Sequence, residues 1–125
     1  MNLIKSIQRT IKKDSRVVFA YLYGSVLEGD KYRDIDIGIY ITEGHDPFIV
    51  SSNIETALSA ETGISPDNFD IRVINQVSSL LYLRRVINGQ LLVDKDLDLR
   101  GDFIESFSMQ YRESEGVLME AYRCI

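Results

Sequence analysis

The sequence is poor in the residues that build disulfide frameworks and histidine metal sites, since it has one cysteine and one histidine among 125 residues. Cys124 has no possible partner in the same chain, which excludes an internal disulfide and a cysteine-based zinc site. His45 lies in a predicted turn, where we expect it to be solvated. As the only histidine it excludes a multi-histidine metal centre and argues against a Ser-His-Asp triad.

Long apolar runs and an excess of positive charge are also missing. No stretch approaches the ~20 apolar residues that span a bilayer, and the N-terminal MNLIKSIQRTIKK lacks the continuous apolar segment of a signal peptide. These features predict a cytoplasmic protein that does not bind a membrane. Acidic residues outnumber basic ones by 19 to 14, for a net charge of -5. This balance argues against a long nucleic acid as partner but permits a local phosphate site.

Hydrophobic periodicity predicts alternating helices and strands in one compact domain, residues 1–125, because a chain of this length that is 45% hydrophobic can bury one core but not two. Helices are predicted in LIKSIQRTIKK, between the capping pair Asp46–Pro47 and Gly63, and in LLYLRRVI. A final long helix is expected over about 97–123. The runs RVVFAYLYG, DIDIGIYI, FDIRVI and LLVD predict four strands, the first of them covered on both faces.

The predicted fold class is α/β (α+β), with a small mixed β-sheet and helices packed on one face. In DIDIGIYI the isoleucines fall on one face of the strand, while Asp34 and Asp36 fall on the other, because side chains alternate along a strand. We expect the helices to cover the isoleucine face and to leave the aspartates on an open face.

Three aspartates are the main candidates for chemistry. Asp34 and Asp36 are two residues apart, which places their Cα atoms roughly 6.5 Å apart on a strand. If the strand FDIRVI pairs beside them, Asp70 comes within cross-strand reach, with roughly 5 Å between facing Cβ atoms. Carboxylates this close repel each other without a cation, and Mg²⁺ prefers oxygen ligands. The alternative is the solvated side of a half-exposed sheet.

A Gly-Ser turn comes shortly before the aspartate pair. Gly24 and Ser25 lie where the first strand gives way to a predicted short helix. The backbone N–H groups of such a turn and the serine hydroxyl can hold a phosphate. An ordinary strand-ending turn is the alternative, since Gly-Ser alone is a weak signal. The nearby aspartates favour phosphate binding over an ordinary turn. The Gly-Ser turn likewise favours a metal site at the aspartates over a solvated sheet face.

This order of an apolar strand, Gly-Ser, a short turn, Asp-Ile-Asp-Ile and a later strand aspartate resembles the nucleotidyltransferases of the DNA polymerase beta superfamily. More narrowly, the chain is similar to the minimal nucleotidyltransferases, which are small single-domain antitoxins paired with HEPN-domain toxins. The likeness spans nearly the whole chain, since FDIRVIN and LLYLRRVINGQLLVDKD are also similar to that group.

The resemblance implies a role for each residue of the two motifs. Gly24 and Ser25 would bind the phosphates of ATP. Asp34 and Asp36 would bind two Mg²⁺ ions, for which Mn²⁺ could substitute, and Asp70 would complete the site, as the base for the attacking hydroxyl. The implied reaction transfers AMP from ATP to a hydroxyl, by resemblance a tyrosine of a HEPN toxin partner.

Two departures from the group's pattern concern the length of the turn and the positive charge that a triphosphate needs. Eight residues, VLEGDKYR, separate the Gly-Ser pair from the aspartates, where the group commonly has ten. An arginine that often follows Gly-Ser is replaced here by VLE. We expect Lys31, Arg33 or Arg72 to supply the charge. The alternative for each of them is an ordinary solvated cation.

The C-terminal helix is a candidate partner surface. Phe103, Phe107 and Tyr111 form an aromatic stripe that is typical of core, and a further apolar set extends past it: Val117, Leu118, Ala121 and Tyr122. This surface predicts a homo-oligomer or a hetero-oligomer. Two other functions stay open, namely a binding antitoxin that has lost efficient catalysis and a transferase whose small-molecule pocket is completed by a second chain.

Overall fold

A computed structural model describes residues 2–29 and 34–123, with side chains described as far as residue 114. Lys31, Arg33 and Cys124 lie outside the described residues. The apolar side chains predicted to extend the partner surface also lie outside the described part, so that prediction stays untested: Val117, Leu118, Ala121 and Tyr122.

The helices and strands follow the order that the sequence predicts. Their bounds are α1 Leu3–Lys12, β1 Val17–Tyr23, β2 Ile35–Ile41, α2 Pro47–Thr62, β3 Phe69–Val73, α3 Leu80–Ile87, β4 Gln90–Asp94 and α4 Leu97–Arg123. Short 3-10 turns at Ser25–Leu27 and Pro66–Asn68 precede β2 and β3. In the part of the chain that the structure describes, none of the helices combines the length and the apolarity of a membrane span.

Local capping explains where the helices begin and end. The Asp46 side chain accepts a hydrogen bond from the Phe48 N–H at 2.9 Å, and Pro47 occupies the first turn of α2. Gly63 ends α2 in the left-handed conformation at φ 76°. The Ser79 hydroxyl caps α3 by accepting from the Tyr82 N–H. The Asp-Pro and glycine signals for α2 are therefore confirmed.

The sheet is mixed and has the strand order β3-β2-β1-β4. Strand β1 pairs antiparallel with both β2 and β4, whereas β2 pairs parallel with β3. Every residue of β1 is buried. The predicted fold class and the prediction that the first strand is covered on both faces are both confirmed.

Helices lie on both faces of the sheet. The isoleucines of β2 share one buried cluster with residues of α1 and α2, as expected. The opposite face carries Phe19, Tyr21 and Tyr23 of β1, which pack with residues of α3 and α4. The expectation that helices cover the isoleucine face alone is therefore wrong, because β1 is apolar on its second face as well and that face also requires cover.

The aromatic stripe of α4 belongs to this second layer. The Phe103 ring lies 5.6 Å from the Phe19 ring and 5.5 Å from the Tyr40 ring, measured between centroids, and Phe107 packs against the same cluster. The interpretation of the aromatic stripe as part of the core is confirmed for Phe103 and Phe107. The cover leaves the Asp36 end of the face accessible, since Asp36 itself is only half-buried.

Gly38 allows α3 to pack closely on β2, and this closeness is testable. A Cβ atom at Gly38 would lie 2.8 Å from Cγ1 of Val86 and 3.2 Å from Cγ2 of Ile74. We expect Gly38→Ala to lower the free energy of unfolding by about 1–3 kcal/mol, as overpacking does in well-packed cores. Guanidinium denaturation measures this change in the free energy of unfolding.

Gly101→Ala is the matched control. Gly101 is exposed in α4, and a Cβ there would meet nothing within 4 Å, so alanine should raise the free energy of unfolding by about 0.5–1 kcal/mol. An equal increase in the free energy of unfolding of both variants would show that α3 does not pack on Gly38 as described.

Candidate active site

The three aspartates converge where β1 ends and where β2 and β3 begin. Tyr23, the last residue of β1, lies opposite Asp36, and Asp36 lies opposite Asp70 in the parallel pair. Asp34 comes directly before the first residue of β2 and is exposed. The structure therefore confirms that Asp70 lies on the strand beside the aspartate pair, in direct register with Asp36.

The Gly-Ser turn lies against Asp36. A Cβ atom on Gly24 would overlap the Oδ2 atom of Asp36, so only glycine leaves room for this carboxylate. Gly24 also adopts φ 85° and ψ -156°, a conformation that is essentially restricted to glycine. The two motifs that the sequence singled out are thus in contact, and Gly24 is required for that contact on two independent grounds.

The turn that follows Gly24 is a single 3-10 turn. The Leu27 N–H donates to the Gly24 carbonyl at 3.1 Å, and the Glu28 N–H donates to the Ser25 carbonyl at 3.0 Å. The Ser25 side chain is half-exposed, and among the described residues its hydroxyl has no hydrogen-bond partner. It is accessible to a ligand that lies on the turn.

The Asp36 carboxylate is repelled by the two other aspartates. Burial raises the pKa of Asp36, and the negative charges of Asp70 and Asp34 raise it further, whereas Arg85 and Arg72 act in the opposite direction. The carboxylates are therefore close enough to repel one another. A bound cation would relieve this repulsion.

Asp70 is paired with Arg72 on the same face of β3. Nε of Arg72 lies 3.3 Å from Oδ1 of Asp70, and the Arg72 guanidinium carbon lies 5.3 Å from the centroid of the Tyr82 ring. Both partners are open to solvent, with 41% of the Asp70 and 57% of the Arg72 side chain exposed. Arg72 lies at the site as predicted, but it is engaged by a carboxylate.

Helix α3 adds residues that sequence reasoning missed. Arg85 reaches back to the Gly-Ser turn, and Tyr82 hydrogen-bonds through its hydroxyl to the hydroxyl of Tyr23. Burial and this hydrogen bond raise the pKa of Tyr23. The helical pattern of LLYLRRVI predicted α3 itself, but nothing in that pattern shows that one of its two arginines returns to a turn far earlier in the chain.

The donor set suits a hard divalent cation. Asp34, Asp36 and Asp70 offer only carboxylate oxygens, the ligands that Mg²⁺ and Mn²⁺ prefer, and their repulsion favours a cation. As they stand, no three acidic, histidine or cysteine side chains within the described ranges are gathered around one metal position. Asp36 is turned towards Gly24, and Asp70 towards Arg72.

The aspartates face an open surface. A cleft of about 360 Å³ lies beyond the far end of β2 and is lined by Ile41, Val73 and their neighbours. Another of about 570 Å³ lies beside α1 and β4. Both clefts are lined by residues other than the three aspartates. Of the aspartates themselves, Asp34 is exposed and Asp70 has 41% of its side chain open to solvent.

Comparison with solved structures shows the same fold. The chain superposes on a mutant MntA–HpeT toxin–antitoxin complex with a TM-score of 0.68 at 18% identity, covering 93% of this chain and 91% of the other. A toxin–antitoxin structure with AMP-PNP gives a TM-score of 0.67 at 19% identity, covering 93% of this chain and 91% of the other. A complex of a tri-AMPylated Shewanella oneidensis HEPN toxin with its MNT antitoxin gives a TM-score of 0.64 at 18% identity, covering 90% of each chain.

Sequence comparison identifies the family. No curated protein gives a significant sequence match. The family model described as polymerase beta, nucleotidyltransferase, matches residues 5–98, which include all four strands and every motif residue of the site. The chain belongs to the polymerase beta nucleotidyltransferase family.

Proposed function

We propose that this nucleotidyltransferase moves AMP from ATP to a tyrosine hydroxyl of a HEPN-domain toxin and thereby acts as an antitoxin. The observation that carries the proposal is the contact between its two motifs. The Gly24 turn lies against Asp36, and Asp36 is in register with Asp70, so a phosphate-binding turn and three carboxylates share one end of the sheet.

The structural neighbours support the choice of acceptor and nucleotide. One neighbour is a complex in which the HEPN toxin is tri-AMPylated beside its MNT antitoxin. Another holds AMP-PNP, an analogue of ATP. A third carries aspartate-to-glutamate changes at two positions that are two residues apart, the same spacing as Asp34 and Asp36.

The proposed reaction gives the chain's residues distinct tasks. The Gly24–Ser25 turn binds phosphate through backbone N–H groups and the serine hydroxyl. Asp34 and Asp36, with Asp70, would hold Mg²⁺, which supplies charge stabilisation to the transferring phosphoryl group. The acceptor oxygen forms a bond to the α-phosphorus, the bond from that phosphorus to the pyrophosphate oxygen breaks, and the hydroxyl proton passes to Asp70.

The openness of the site supports a macromolecular acceptor. Asp70, the proposed base, has 41% of its side chain exposed on the sheet face. A small acceptor would have to be held by a pocket at this point, whereas a protein brings its own surface to an open face. The tyrosine of a docked partner can then reach Asp70 and the phosphate turn together.

A second candidate function is a binding antitoxin that covers its toxin without efficient catalysis. The sequence VLE after the Gly-Ser pair favours it, because an arginine is absent from the position where the related group often has one. Clustered carboxylates oppose it, since a pure binding surface gains nothing from the repulsion at Asp36.

Removal of the Asp36 carboxylate distinguishes the two functions. Metal stabilisation of transition-state charge is worth several kcal/mol, so we expect Asp36→Asn to slow AMP transfer by about a thousandfold or more. Mass spectrometry of the HEPN partner, incubated with ATP and Mg²⁺, measures the added mass of about 329 Da that AMP transfer produces. The fold should persist, because the substitution relieves repulsion at a half-buried position.

Glu61→Gln is the matched control, since it removes one negative charge from the exposed end of α2. It should transfer AMP like the parent. The binding antitoxin would be established instead by two results together. The parent would leave the partner unmodified with every nucleotide and metal tried, and the parent and Asp36→Asn would silence the toxin equally.

Ser25→Ala tests the phosphate turn without altering Gly24, whose replacement would strain the backbone. Loss of a hydroxyl that donates to a charged phosphate should weaken ATP binding by about tenfold, measured by titration calorimetry. Ser78→Ala, in the exposed segment before α3, should bind ATP like the parent. Unchanged ATP affinity in Ser25→Ala would remove the hydroxyl from the proposed site.

A further inference from the structure

Arg85 lies beside the phosphate turn. Its Nη2 atom is 3.4 Å from the position that a Cβ atom on Gly24 would occupy, a position that Oδ2 of Asp36 also approaches closely. The Arg85 guanidinium carbon lies 5.7 Å from the centroid of the Tyr23 ring, the residue just before the turn. A cation from α3 thus reaches the Gly-Ser turn.

This guanidinium differs from the other arginines near the site. Arg72 is engaged by Asp70, and Arg84 donates to the Tyr111 hydroxyl at 2.6 Å. Arg85 has neither a carboxylate within ion-pair distance nor a hydrogen-bond acceptor among the described residues. Its planar set of N–H donors is therefore available to an anion.

The packing of α3 fixes where Arg85 points. Leu83 and Val86 are buried on either side of it in the sequence, and Val86 lies against Gly38 of β2. With Leu83 and Val86 turned towards the sheet, the residue just before Val86, Arg85, lies beside the end of β1. Arg84 falls on another side of the helix and meets α4.

We propose that Arg85 binds the triphosphate of the nucleotide on the Gly24–Ser25 turn. It supplies the positive charge that the sequence lacks directly after the Gly-Ser pair. The site holds three aspartates, and its Arg72 is already paired with Asp70. A negatively charged triphosphate therefore needs a further cation to approach the aspartates. A guanidinium beside backbone N–H groups is well suited to phosphate oxygens. The assignment rests on the proposed function, since it assumes a nucleoside triphosphate at this turn.

Paired substitutions on α3 test the assignment by titration calorimetry with ATP and with adenosine. Loss of hydrogen bonds to a charged group predicts that Arg85→Gln weakens ATP binding by roughly tenfold to a hundredfold. Adenosine affinity should stay unchanged, because adenosine has no phosphate. Arg85→Lys keeps the charge and should recover part of the ATP affinity.

Arg84→Gln is the control, since it removes the same charge from the neighbouring residue and should bind ATP within about twofold of the parent. Thermal unfolding of each variant verifies the fold, and Arg85→Gln should unfold like the parent because Arg85 is exposed. An unchanged ATP affinity in Arg85→Gln, or an equal loss for ATP and adenosine, would overturn the assignment.

The two proposals fail in different ways. If the parent binds ATP through Arg85 but transfers no AMP, the nucleotide role stands and the proposed transfer function is wrong. If the parent transfers AMP and Arg85→Gln binds ATP and transfers AMP at the parent's level, the role of Arg85 is wrong and the proposed function stands. If the parent binds no nucleoside triphosphate, both are wrong.

Discussion

Burial of β1 on both faces is the constraint on which the rest of the structure depends. Its seven residues carry apolar or aromatic side chains in both directions, so a single layer of helices cannot remove them from water. Strands β2 and β4 pair with its two edges, α1 and α2 cover one face, and α3 and α4 cover the other. The candidate site lies where this central strand ends, at Gly24.

The second layer of helices links stability to the site. Val86 of α3 packs against Gly38, and the adjacent Arg85 extends over Tyr23 towards Gly24. The contact that buries α3 is therefore also the contact that places a cation at the turn. A side chain at position 38 would move α3 and so displace Arg85 as well as weaken the core.

The sequence predicts what depends on local periodicity. Alternation in DIDIGIYI and FDIRVI predicts two strands with aspartates on one face, and the observed register of Asp36 with Asp70 agrees with it. Asp46, Pro47 and Gly63 mark α2 because capping depends on neighbouring backbone groups. Gly24 and Ser25 could be singled out since a strand that stops at glycine is visible in the sequence.

Long-range packing is what the sequence does not reveal. The aromatic residues of β1 indicate two covered faces, yet periodicity does not say which helix covers which face, so the sequence predicts helices on the isoleucine face alone. Arg84 and Arg85 are adjacent and chemically identical, and the packing of α3 distinguishes them, since Arg84 meets Tyr111 and Arg85 lies beside Gly24. The expected sources of positive charge were therefore local ones, Lys31, Arg33 and Arg72, of which Arg72 is paired with Asp70 and the other two lie outside the described residues.

The arrangement of charge explains why a cation from a distant helix suits this site. An arginine within the turn would stand directly beside Asp36 and could form an ion pair with it, as Arg72 does with Asp70. Arg85 is held by α3 and lies over the Tyr23 ring, so it offsets the repulsion at Asp36 while remaining beyond ion-pair distance of that carboxylate. In the proposed function, the Asp36 oxygens would be left for a metal ion and the Arg85 N–H groups for phosphate. A positive charge supplied from α3 would then leave both groups available for the nucleotide and its cation.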